Sequence, residues 1–156
     1  MFDERLSELG IQLPGPFPPH DPLDAVVVHG GTARTSGCLP RDAGGELIET
    51  GTLGEDIAVA DGVRCAELCA LNALSLLRAS LGSLDVIERV LTVSVFIVCA
   101  PGFVEQPAVA DGASQLIVRV FGEAGRHSRS AIGVAALPRG APVEIELIVA
   151  LRQDAR

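Results

Sequence analysis

The stretch Arg126-His127-Ser128-Arg129-Ser130-Ala131-Ile132-Gly133-Val134, followed by Leu137-Pro138 and then by Val143-Glu144-Ile145-Glu146, decides the fold. Arg129 to Leu137 and Val143 to Leu151 read as strands. The short turn between them, Pro138 to Pro142, predicts a hairpin. Glu144 and Glu146 are two apart on a strand and share one face, while Val143, Ile145 and Leu147 share the other. The apolar set calls for a covering layer of helices. The carboxylates call for water, a paired charge or a pocket, and structural pairing is the plainer of these readings.

Two helical patterns upstream supply the covering layer. From Glu55 to Leu81 the polar positions Asp61, Arg64, Glu67, Ser75 and Arg78 recur at helical period and leave a broad apolar stripe rich in alanine. Glu55 and Asp56 fall in the expected first turn and Gly82 follows the last. A second amphipathic helix is expected from Pro107 to Phe121, with 122–127 as its exit loop. Between the helices, Ser83 to Glu88 reads as a solvated connector. Arg89 to Cys99, apolar and β-branched on both parities, reads as a central strand covered on both faces.

Nearer the start, Ala25 to Val28 and Thr32 to Ser36 flank Gly30-Gly31 as a hairpin, with His29 as a turn residue. Residues 41–54 read as a loop with a short strand at 46–49. Asp3 to Gly10 is a short helix, and the run Leu13-Pro-Gly-Pro-Phe-Pro-Pro-His20 excludes regular structure. The expected organisation is an N-terminal arm over 1–22 and one domain over 23–156. Its fold class is α/β (α+β), a mixed sheet with two helices packed on one face.

Composition narrows the chemistry. The net charge of -8 and the absence of Trp and Tyr leave no basic, stacking surface, so nucleic acid is not an expected partner. No apolar run approaches the roughly 18 to 20 residues that span a bilayer, and the start lacks signal-peptide character. A cytoplasmic protein without a membrane partner is the expectation. All twelve basic residues are arginine. Without lysine there is no Schiff base, pyridoxal anchor or Walker lysine, and anions must be met by guanidinium or backbone N–H groups. Cys38, Cys65, Cys69 and Cys99 show no zinc-type spacing, so they read as core fillers with no metal and no cofactor implied.

The candidate site residues come from three places. Arg129 can hold a small carboxylate, with Arg126 and His127 as competitors and surface roles equally open to both. Ser36-Gly37-Cys38, ending a strand before Leu39-Pro40, can form an anion-binding turn or a plain strand end. Glu144 and Glu146 are the conspicuous carboxylates of the second half, with a pocket role and structural pairing both open.

Taken together these residues resemble the YjgF/RidA family, long labelled endoribonuclease L-PSP. The motif Arg-Ser-x-x-x-Val-x-x-Leu-Pro stands at Arg129 to Pro138, the glutamate strand at Val143 to Glu146, and Thr-Ser-Gly-x-x-Pro at Thr35 to Pro40. Ala70-Leu-Asn72-Ala-Leu and Val93 to Val98 also match. The resemblance implies a chorismate-mutase-like homotrimer with clefts between subunits. It also implies hydrolysis of reactive enamines and imines to 2-oxo acids and ammonia. In that scheme Arg129 clamps the substrate carboxylate, Glu144 activates water, and Ser36, Gly37, Cys38, Gly112 and Ala131 line the site. The chain departs from the pattern at Ala131, where the family carries cysteine, in having no tyrosine, and around Asp111-Gly112, where an asparagine is usual. A non-catalytic trimer that binds a small carboxylate metabolite is the alternative, and ribonuclease activity fits the acidic composition poorly.

Overall fold

The computed structural model describes residues 1–153. Positions 154–156, the last three of the expected domain, lie outside the described residues. Strands β1 (Val26–His29) and β2 (Thr32–Thr35) form the first hairpin. Gly30 and Gly31 at its tip take φ values of 58° and 76°, the pair of positive angles that a two-residue turn between right-twisted strands requires. Helix α2 (Val59–Leu81), strand β3 (Ile87–Val98), helix α3 (Gln106–Phe121) and strands β4 (Ser128–Val134) and β5 (Val143–Leu151) follow. They build one five-stranded mixed sheet in the order β1-β2-β5-β3-β4. Among the described residues no helix is long and apolar enough to cross a membrane.

α2 starts four residues later than its periodicity suggests, because Asp56 is used elsewhere. Its carboxylate accepts the N–H of Thr52 at 2.6 Å, and the Thr52 carbonyl accepts the N–H groups of Glu55, Asp56 and Ile57, closing a turn before the helix. Gly82 ends α2 in the left-handed region. Cys65, Ala66, Cys69, Ala70 and Ala73 are buried small residues that let α2 lie close to its neighbours. Cys65 and Cys69 are core fillers, as expected, Cys99 is half-exposed, and all four cysteines are free thiols. The expected strand at 46–49 is reduced to a single bridge between Arg41 and Leu47.

The expected β4–β5 hairpin does not form. β3 lies between the two strands, parallel to β4 and antiparallel to β5. The β3–α3–β4 segment is a crossover unit that places β4 at the sheet edge, so the Pro138 turn has to carry the chain past β3 to reach β5. β3 is also covered on one face only. Val93, Val95 and Ile97 are fully buried under the helices, whereas Leu91, Thr92, Ser94 and Phe96 stay half-exposed.

This topology fixes which face each motif residue occupies. Val93 pairs with Arg129 on one side and Leu147 on the other; Phe96 pairs with Ile132 and Glu144. In-register neighbours share a face. Arg129 is therefore on the helix side and Glu144 on the open side.

The arm is integrated with the rest of the structure. Helix α1 (Phe2–Glu8) lies against α3, with the rings of Phe2 and Phe121 edge to face at 4.7 Å. Asp85, expected as part of a solvated connector, instead accepts the N–H groups of Phe2 and Asp3 at 2.5 and 3.2 Å. Asp3 in turn accepts from the Ser83 hydroxyl and the Leu84 N–H and pairs with Arg78 at 3.0 Å.

Candidate active site

β5 delivers both glutamates to the open face, and their surroundings separate them. Glu146 is neutralised across the strands by Arg34 of β2 at 3.1 Å. Glu144 has no cation within 4.0 Å among the described residues. It is half-buried, and that burial, followed by the charge of Glu146, raises its carboxyl above the ordinary 4.5. One carboxylate is structural and its neighbour is poised to exchange a proton.

Gly37 explains how Glu144 fits. A Cβ at position 37 would run into the Glu144 carboxylate, so glycine lets that side chain lie across the strand end and a larger residue would make it swing aside. Of the expected anion-binding turn at 36–38, two of the three backbone N–H groups are already used. The Ser36 N–H bonds to Ala25 O, the Cys38 N–H bonds to Ile145 O, and the Ser36 hydroxyl donates to Asp24 O at 2.7 Å. Burial pushes the Cys38 thiol up to about 12, so it is a neutral wall and not a nucleophile.

Glu144 opens into a cleft of about 400 Å³. Phe17 and Pro18 of the arm, Leu23 just after it and Leu76 of α2 give the cleft its apolar lining. Its charged and polar lining includes His20, Arg41, Asn72 and Arg139. The Asn72 amide donates to the carbonyls of Leu39, Arg41 and Leu68 at 2.9–3.1 Å, which fixes the chain leading to Arg41. Arg41 reaches Gly45 O and stands 6.0 Å above the Phe17 ring.

The other expected site residues lie apart from this cleft. Arg129 donates to Asp111 at 2.8 Å, to the Ser114 hydroxyl at 3.1 Å and to Pro107 O at 3.3 Å. Ser114 continues the network to His127 at 3.0 Å. Within one chain the structure thus joins Arg129 to α3 and not to Glu144. Arg126 makes an exposed pair with Glu123. Ala131 is on the helix side, packed against the core. Gly112 is buried where a Cβ would strike the Val63 carbonyl, so it serves the approach of α2 to α3 instead of lining a pocket.

Arg41, Arg139, Asn72 and His20 were not among the expected site residues. A signal for two of them is present, because the tripeptide Leu-Pro-Arg occurs twice, at Leu39-Pro40-Arg41 and Leu137-Pro138-Arg139. In each copy the Leu-Pro closes one of the family motifs and the arginine follows it, and the fold brings both arginines to one cleft.

A mixed sheet backed by helices on one face, with a strand carboxylate of the other face reaching a cleft that α2 also lines, defines a chorismate-mutase-like α+β protein. A family profile described as "YjgF/chorismate_mutase-like, putative endoribonuclease" matches residues 3–150, and the chain belongs to the YjgF/RidA family. Protein TCP17 of Trypanosoma cruzi is 45% identical over 149 residues, covering 94% of this chain and 92% of that one. The crystal structure of Atu1372 from Agrobacterium tumefaciens, a protein of unknown function, is 42% identical, with a TM-score of 0.88 over 97% of this chain and 94% of the other. RidA from an Antarctic Psychrobacter is 26% identical, with a TM-score of 0.61 over 90% of this chain and 99% of that one.

Proposed function

We propose that the protein is a hydrolytic deaminase of small imine or enamine carboxylates, acting in the cytoplasm as a homotrimer. The observation that carries this reading is Glu144: a lone, half-buried carboxylate with a raised pKa, set in a cleft beside a glycine that makes room for it. The resemblance of the Arg129–Pro138, Val143–Glu146 and Thr35–Pro40 motifs to those of RidA proteins implies the same chemistry.

In this reaction the imine enters protonated on nitrogen, and Glu144 takes a proton from water as the water oxygen bonds to the iminium carbon and the C=N π pair moves to nitrogen, giving a neutral carbinolamine. Glu144 then passes that proton to the amino group. It takes the hydroxyl proton as the C=O bond forms, the C–N bond breaks and ammonia leaves, and ammonia carries that proton away to restore the carboxylate. The products are a 2-oxo acid and ammonia, so one water balances the step. The pKa of Glu144 suits both halves, since the group must accept a proton and return it. In the trimer the Arg129 that clamps a substrate carboxylate belongs to the adjoining subunit. It is offered from edge strand β4, and Asp111 and Ser114 fix its orientation.

The test is imine hydrolysis with 2-iminobutanoate generated in situ and the surviving imine trapped as its semicarbazone. The expected result is acceleration by wild-type protein, a loss of roughly 10²-fold or more in Glu144→Gln, in the range of general acid–base contributions, and a loss in Arg129→Ala. No acceleration by pure, folded protein would refute the reading.

A further inference from the structure

Seven arginines sit within 4.0 Å of a carboxylate: Arg5, Arg34, Arg64, Arg78, Arg119, Arg126 and Arg129. Arg41 and Arg139 do not, among the described residues, and both line the Glu144 cleft. Two guanidiniums without counter-ions, on a chain of net charge -8, make this cleft a cationic spot on an acidic molecule. The wall beside them is apolar, so an anion entering the cleft is partly removed from water and its attraction to guanidinium is strengthened.

Backbone geometry adds an independent observation at Arg139. It takes φ 59°, the only non-glycine residue of the described chain at positive φ. Arginine has no preference for this region, which asparagine or glycine would occupy at lower cost. A costly conformation held by a side chain that lines a cleft and has no partner marks a position kept for what that side chain binds. Arg41 is prepared in a different way. Asn72 holds its carbonyl, and Phe17 lies under its guanidinium. Its hydrogen bond to Gly45 O uses one N–H and leaves others for a ligand.

We propose that Arg41 and Arg139 form a second carboxylate-recognition site beside Glu144, so that the preferred substrate is the imine of a dicarboxylic 2-oxo acid. This inference rests on the deaminase reading for the reaction, with one carboxylate going to Arg129 of the adjoining subunit. The second carboxylate, at the far end of a short carbon chain, falls to the two Leu-Pro-Arg arginines. Bidentate guanidinium–carboxylate pairing at either one would discriminate against a substrate that ends in methyl.

Binding and turnover test the two readings separately. Calorimetric titration would compare 2-oxoglutarate with 2-oxopentanoate, which have the same chain length and differ by the terminal carboxylate. Wild type is expected to bind 2-oxoglutarate roughly tenfold or more tightly, the size of one charge-assisted hydrogen bond. Arg41→Gln and Arg139→Gln should each reduce this preference, weakening 2-oxoglutarate more than 2-oxopentanoate. Arg139→Gly also relieves the left-handed backbone, so it should lose the preference while melting no lower than wild type.

Equal affinity for the two acids, no binding of 2-oxoglutarate, or a preference that survives both glutamine variants would overturn the proposal. Turnover of the corresponding imines reads the reaction independently. Hydrolysis without a dicarboxylate preference sinks this inference and leaves the deaminase intact. A binding preference without hydrolysis of either imine does the reverse.

Discussion

At the scale of single residues, the two glutamates of Val143-Glu144-Ile145-Glu146 show how an identical side chain two positions along becomes a different chemical group. Arg34 reaches one and not the other. Because the fold raises the Glu144 pKa, it favours the protonated form. The stability this contributes is fully present below the unfolded value of 4.5 and is lost as pH rises through the higher folded value. Glu144→Gln is neutral throughout. Its melting temperature relative to wild type should therefore rise between about pH 4 and about pH 8. A difference that stays flat over that range would mean the carboxyl is not perturbed. The shared face of the glutamates was legible from strand period, because period 2 needs no tertiary knowledge. Which of them lacked a partner was not, since Arg34 lies far away in the chain and meets Glu146 only through the β2–β5 pairing.

At the scale of elements, the helices and most strands were legible, because amphipathic period and glycine end signals are local. The order of strands was not. A five-residue turn between two strands predicts a hairpin, and only the parallel β3–α3–β4 crossover explains why the turn here skips a strand. Arg129 and Glu144 moved to opposite faces as a result, while Arg41 and Arg139, distant in sequence, came to line one cleft. Gly112 is the clearest case of a residue whose role belongs to an element pair. Adding one methyl there forces α3 away from the Val63 carbonyl of α2. Gly112→Ala should cost about 1–3 kcal/mol, seen as a lower denaturation midpoint with an unchanged slope, since it overpacks a helix contact without reaching the cleft. An unaffected midpoint would show that the helices part freely.

At the scale of the whole molecule, the open face of the sheet carries Val27, Phe96, Ile132, Val134 and Ile148, with Val27 55% and Ile132 48% exposed. A sheet face of this kind is a poor solvent boundary, and a symmetric assembly would cover it. Light scattering should give about 49 kDa, three times the 16.2 kDa chain; a monomer at micromolar concentration would contradict the trimer. The Pro-rich segment has a place in this picture too. It looked like a loose leader in sequence, yet it runs from a helix fastened by Asp85 and Asp3 to the start of β1, with Phe17 and Leu23 facing the cleft on the way. Such a span behaves as a rope tied at both ends. Slack introduced at the Asp85 knot has only this span to run along before it reaches Phe17, so the fastening of the first turn helps hold the lining of the cleft in place.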